Sequence, residues 1–132
     1  MTSVDEFHAT LVLRAGGWDP RYAVTLAVAS RDGVGAALID SNGDEVDIDL
    51  DIYERDSDGT WHDGNSSGVG DEGSCVSEGV AVAWGRSEPG AIVEVAYAAQ
   101  RSSVITAQTG WWLFVAFSAP GADDQFPVVL SS

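Results

Sequence analysis

The sequence predicts an all-β fold, an antiparallel β-sandwich of seven or eight strands that is immunoglobulin-like and preceded by an optional short N-terminal helix. Two observations carry this. From Tyr22 onward apolar residues recur at every second position, and these runs are separated at short intervals by Gly, Asn and Asp turn signals. A third is the run Trp111–Phe117, which is apolar on both faces, as a central strand with cover on each side requires. A closed barrel is the alternative. With 132 residues, 45% of them hydrophobic, the chain suits one domain over 1–132.

The first segment supports two readings. Ser3 followed by Glu6 has the form of a capping box, Val4, Phe7 and Leu11 recur at near-helical spacing, and Gly16-Gly17 would end a helix. Phe7, Ala9, Leu11 and Leu13 also alternate, as in a strand; the helix is slightly favoured. The next strands are Tyr22–Val28 and Val34–Asp40, joined by the turn Arg31-Asp32-Gly33. Asn42-Gly43 predicts a tight hairpin, because both central residues of such a turn need positive φ. Val46, Ile48, Leu50 and Ile52 then alternate with Asp47, Asp49 and Asp51 in the cleanest strand pattern of the chain. Asp58-Gly59 predicts another hairpin, leading into Thr60–His62. Residues 63–79, rich in Gly and Ser and without periodicity, read as a long loop. Four more strands, Val80–Arg86, Ile92–Ala98, Ser103–Thr109 and Trp111–Ser118, are followed by Phe126–Leu130 at an edge, since Pro127 has no N–H for a ladder.

Composition narrows the functional classes. Twenty-one acids against six bases, all Arg, give a formal charge of −15, which disfavours nucleic acid and anionic lipid as partners. A GC-rich genome accounts for Arg without Lys beside abundant Ala and Val; adaptation to high salt is the competing cause. No apolar run approaches the ~20 residues of a membrane helix. The acidic opening lacks the pattern of a secretory leader, and Cys75 is alone, so a reducing, cytoplasmic setting is expected.

The acidity is local. Ten acids lie between Asp40 and Asp63 against one base, Arg55. Alternate side chains on one strand face sit about 6.5 Å apart, so Asp47, Asp49 and Asp51 repel one another and are expected to face solvent. Such a row discourages edge pairing between molecules, or it recognises a basic surface. The interaction residues expected on the second reading are Asp47, Asp49, Asp51, Asp56 and Asp58, with Trp61 and Trp111 as apolar contacts. Trp111 and Trp112 point to opposite faces, so one needs a cover, for which the N-terminal segment is a candidate. Asp40, Asn42 and Asp44 have the spacing that opens a calcium loop, but Glu45 stands where that loop needs Gly, which makes them a weak surface site at best. His62-Asp63 matches no catalytic motif, and no cofactor is expected.

Val80-Ala81-Val82-Ala83-Trp84-Gly85-Arg86-Ser87-Glu88-Pro89-Gly90, Val93–Tyr97 and Gly110–Val115 resemble segments of small actinobacterial β-sandwich proteins to which no activity is attached. The resemblance covers the C-terminal third and implies a fold and a source, with no catalytic residue to carry over. The function expected is therefore a non-enzymatic acidic module that binds a basic protein, with an inhibitor or immunity protein as the sharper version. An assembly subunit using the Trp-rich strand and sheet edges, or a weak calcium-binding domain, are the alternatives.

Overall fold

The computed structural model describes residues 9–19, 21–31, 33–43, 47–77, 79–98, 100–117 and 127–131, which form one helix and ten strands. Helix α1 is Ala9–Ala15. The strands are β1 (Val24–Arg31), β2 (Val34–Asp40), β3 (Ile48–Arg55), β4 (Trp61–Val69), β5 (Gly73–Ser77), β6 (Val80–Arg86), β7 (Ile92–Tyr97), β8 (Gln100–Ile105), β9 (Trp111–Phe117) and β10 (Val128–Ser131). Every pairing is antiparallel, in three sheets ordered β1-β2-β3-β4, β5-β6-β9 and β10-β7-β8.

The sandwich expectation holds as a class, but ten strands replace seven or eight and three sheets replace two. An immunoglobulin-like order would exchange strands between two sheets; here β1 to β4 are neighbours in chain order within one sheet.

The second sheet is the middle layer, because β6 and β9 are apolar on both faces. Val80, Val82, Trp84, Trp111, Leu113 and Val115 pack against Leu26, Leu38, Leu50 and Ile52 of the first sheet. The alternate residues Ala81, Ala83, Trp112, Phe114 and Ala116 pack against Val93, Val95 and Tyr97 of the third. Burying both faces of these two strands places their apolar side chains in two cores at once, and each buried side chain stabilises the fold by removing apolar surface from water. Trp112 is thus covered by β7, not by the N-terminal segment. Gly85 is paired with Trp112, and a Cβ there would lie 2.8 Å from the indole Nε1, so the ring occupies the space a side chain would fill.

Two irregularities aim side chains. A bulge between Thr25 and Ala27 turns the adjacent Leu26 and Ala27 into the same core. Another lies opposite Ile52 and Tyr53, where Gly64 is the extra residue in β4.

The segment 63–79, expected as a loop, instead supplies most of β4 and all of β5. Its Ser and Gly residues carry no apolar alternation because β4 is the edge of the first sheet and β5 the edge of the second, and both are largely exposed. Ladder pairing to β3 and β6 makes them strands. The tight hairpin expected at Asn42-Gly43 does not form, since Asp40 at the end of β2 pairs with Ile48 at the start of β3. Of Asn42 and Gly43 only Gly43 takes positive φ (76°), and Ser41 N–H donates to Asp47 O at 3.2 Å. At the other end of β3 the expected hairpin is present: Gly59 N–H donates to Asp56 O, Asp56 N–H donates to Thr60 O, and Gly59 sits at φ 91°.

Helix α1 covers the outer face of the first sheet, where Val12 joins Ala37, Ile39, Tyr53 and Trp61. The helical reading of the first segment therefore holds for Ala9–Ala15, while the Ser3 to Glu6 capping box lies outside the described residues. The helix ends as its Gly pair implies. Gly17 N–H donates to Arg14 O, Trp18 N–H donates to Leu13 O, and Gly17 takes the left-handed conformation at φ 74°. That ending sends Trp18 back over the sheet.

Strand β10 lies at the edge of the third sheet, as expected for the last strand, with Pro127 just before it.

Candidate functional site

Strand β3 and its flanking turns carry the acidic residues singled out in the sequence, and the fold divides them into two groups. Asp51, expected on a solvent-facing row, is 1% exposed. Its Oδ2 accepts Trp18 Nε1–H at 2.6 Å and its Oδ1 accepts the Ser66 hydroxyl at 2.6 Å. The Tyr53 hydroxyl, 2.9 Å from the same Oδ2 and 3.0 Å from Val12 O, shares its single proton between these acceptors. Gly16 makes the approach possible, because a Cβ there would fall 2.8 Å from the Tyr53 oxygen. Asp51 is thus a buried tie between α1, β3 and β4, and no part of an interaction surface. Helix cover is the reason: α1 and Trp18 lie across this part of the sheet, and a carboxylate beneath them is retained by donors from three side chains.

Asp47 is exposed and accepts the Asn42 side-chain N–H at 3.2 Å. Asp49 is half-buried, and its carboxyl lies above the ordinary range, first because burial disfavours its charge and then because Asp51 and Asp47 repel it. Glu54, Asp56 and Asp58 are exposed at the far end. Asp56 holds the turn: its Oδ1 accepts the N–H groups of Asp58 and Thr60, and its Oδ2 meets His62 Nε2. Its carboxyl lies well below the usual range, through hydrogen bonding to the Asp58 side chain, then to His62, then to the Thr60 N–H. His62 is thereby a turn partner of Asp56, and with its side chain 60% and that of Asp56 38% exposed the pair is open to water.

Neither tryptophan named as an apolar contact is on the surface. Trp61 is buried against Tyr53 and Val12 with the Arg55 guanidinium 5.9 Å from its ring centroid. Trp111 is fully buried between the first two sheets, with Arg86 4.9 Å from its centroid. The two-face reading of Trp111 and Trp112 explains this, once the second sheet is seen to have cover on both sides.

Asp40, the start of the weak calcium pattern, is also buried; its Oδ1 accepts N–H from Asn42 at 3.3 Å and Gly43 at 2.9 Å, capping the β2–β3 connection. Asp44 lies outside the described residues. Among the described residues no group of three or more His, Cys, Asp or Glu is arranged to hold a metal ion. Cys75 is half-buried, and burial pushes its thiol up, away from the reactive thiolate. Among the described residues no helix is long and apolar enough to cross a membrane.

Among the described residues, Asp47, Glu54, Asp56 and Asp58 are open to solvent on this element, Asp56 being engaged by His62, and Asp49 is half-buried. Sequence reasoning did not single out Trp18, Tyr53 and Ser66 as partners of Asp51. Trp18 was within reach, since a Gly pair ending a helix returns the chain toward what the helix covers. Ser66 was not, because its strand carries no periodic signal.

The fold and this surface define an antiparallel all-β domain of stacked sheets with an acidic outer hairpin. Comparison with family models, with curated proteins and with solved structures finds no match.

Proposed function

We propose that this protein is a non-enzymatic interaction module that uses the outward acids of β3 and its turns to bind a basic protein surface. The observation that supports this best is Asp49. Its carboxyl is crowded by Asp47 and Asp51 and partly desolvated, so a cation placed there would relieve repulsion that the described residues leave standing. Opposed charge speeds association and sets register, the use expected of an inhibitor or immunity protein acting on a basic target.

Calorimetry against a small basic protein tests it with two variants of equal net charge. Asp47→Asn, Asp49→Asn and Asp58→Asn together should weaken binding about tenfold at low salt. Asp71→Asn, Glu72→Gln and Glu88→Gln, three exposed acids elsewhere, should weaken it less than about twofold. Equal losses from both variants would mean that net charge alone is being read, and the reading fails.

An assembly subunit is the second reading, and one observation favours it. On the outer face of the third sheet, Ile92 and Ile105 pair across strands while 61% and 71% exposed, with Val128 exposed on the same face. The Trp-rich strand does not contribute, being the middle of the stack. Sedimentation separates the readings, since a strictly monomeric protein at high salt removes the second.

A further inference from the structure

We propose that a cleft at the closed end of the β7–β8 hairpin binds a small ligand made of one carboxylate on an apolar body. This cleft is separate from the acidic hairpin and its proposed role. It encloses about 250 Å³ and is lined by Arg31, Tyr97, Gln100, Ser102, Phe114 and Phe117 among others. Three elements that are distant in sequence meet there: the end of β1, the β7–β8 hairpin and the end of β9.

Among the described residues, the polar groups of the cleft are incompletely used. The Arg31 guanidinium lies 5.4 Å from the Phe114 ring centroid, and its Nη2 donates a long 3.3 Å hydrogen bond to Ser102 Oγ. A guanidinium has five N–H donors in a plane, and a carboxylate takes two of them side by side. Tyr97, which also lines the cleft, is only 7% exposed and meets Phe114 edge-on, with centroids 6.5 Å apart. The Tyr97 hydroxyl is buried and has no hydrogen-bond partner among the described residues. A buried phenol without a partner is uncommon, because its lost contact with water goes uncompensated.

A carboxylate supplies what both groups lack. Drawing the guanidinium off Ser102, it takes two N–H donors and brings an acceptor oxygen over the Tyr97 hydroxyl. Phe117, 55% exposed at the rim, then meets the apolar body. The volume is below the roughly 300–1,000 Å³ of pockets for drug-sized molecules, so the ligand is fragment-sized. The formal charge of −15 disfavours a doubly charged group over a single carboxylate.

Saturation-transfer NMR and thermal melts with benzoate, benzamide and phenyl phosphate test this on the whole chain. Benzoate should bind, with the neutral amide and the dianion at least about tenfold weaker. Arg31→Gln should cost about tenfold in benzoate affinity. Tyr97→Phe should melt no lower than the parent without ligand, since it removes only an unpaired hydroxyl, and yet bind benzoate about threefold to tenfold more weakly. That combination separates a ligand-directed hydroxyl from a structural one. The proposal is overturned if benzoate fails to bind, if all three probes bind alike, or if either variant binds benzoate as the parent does.

Discussion

Asp51 and Asp49 are two residues apart on one face of β3, and burial gives them opposite roles. Asp51 sits under Trp18 and α1 with three side-chain donors around it. Replacing it by Ala would leave the Trp18 N–H and the Ser66 hydroxyl without their acceptor and empty a buried volume. The expected cost is about 2–4 kcal/mol, read as a fall in the denaturant midpoint at unchanged m-value. Asp47→Asn, at an exposed position with one side-chain hydrogen bond that Asn can keep in part, should change stability by less than about 0.5 kcal/mol. A substitution at Asp51 no more harmful than that at Asp47 would show that the buried carboxylate ties nothing together. The row of three Asp was legible in the sequence; its division was not, because the cover comes from α1, more than thirty residues upstream.

At the scale of the element, the β3–β4 hairpin is closed by Asp56, whose carboxyl is held below its ordinary 3.8. A depressed carboxyl contributes stability that is present above the unfolded value and is lost as pH falls through the folded one. Asp56→Asn should therefore be less stable than the parent above about pH 5, and the difference should shrink as the pH drops below 3.8. Thermal melts between pH 7 and pH 2 would read this, and a gap that does not vary with pH would place the effect in turn geometry alone. Turn chemistry made this hairpin predictable, since Asp58-Gly59 is a local signal. Strands β4 and β5 were hidden for the complementary reason. Largely exposed edge strands need little apolar alternation, so their main signature is the ladder they make with β3 and β6.

For the whole molecule, the apolar second sheet lies between the other two, and the described acids lie outside its two cores. Self-repulsion of a −15 surface opposes the compact state and is screened by salt. The melting temperature should therefore rise by several degrees between about 0.05 M and 0.5 M NaCl, with NaCl and KCl alike; a flat or falling curve would mean the acids are already paired. By itself the sequence determined the all-β class, the bounds of β2, β6 and most of β9, the Asp58-Gly59 hairpin, and the need for cover on both sides of Trp111-Trp112. Each of these rests on period-two alternation or on a turn residue, and both act between neighbours along the chain. Tertiary structure alone decided that a third sheet supplies the second cover, that Ser- and Gly-rich residues form edge strands, and that Asp40 and Asp51 are buried. It also brought Arg31 to Tyr97. Those outcomes depend on which distant segment lies above a given face, and in a strand the two faces look alike until something packs on one of them.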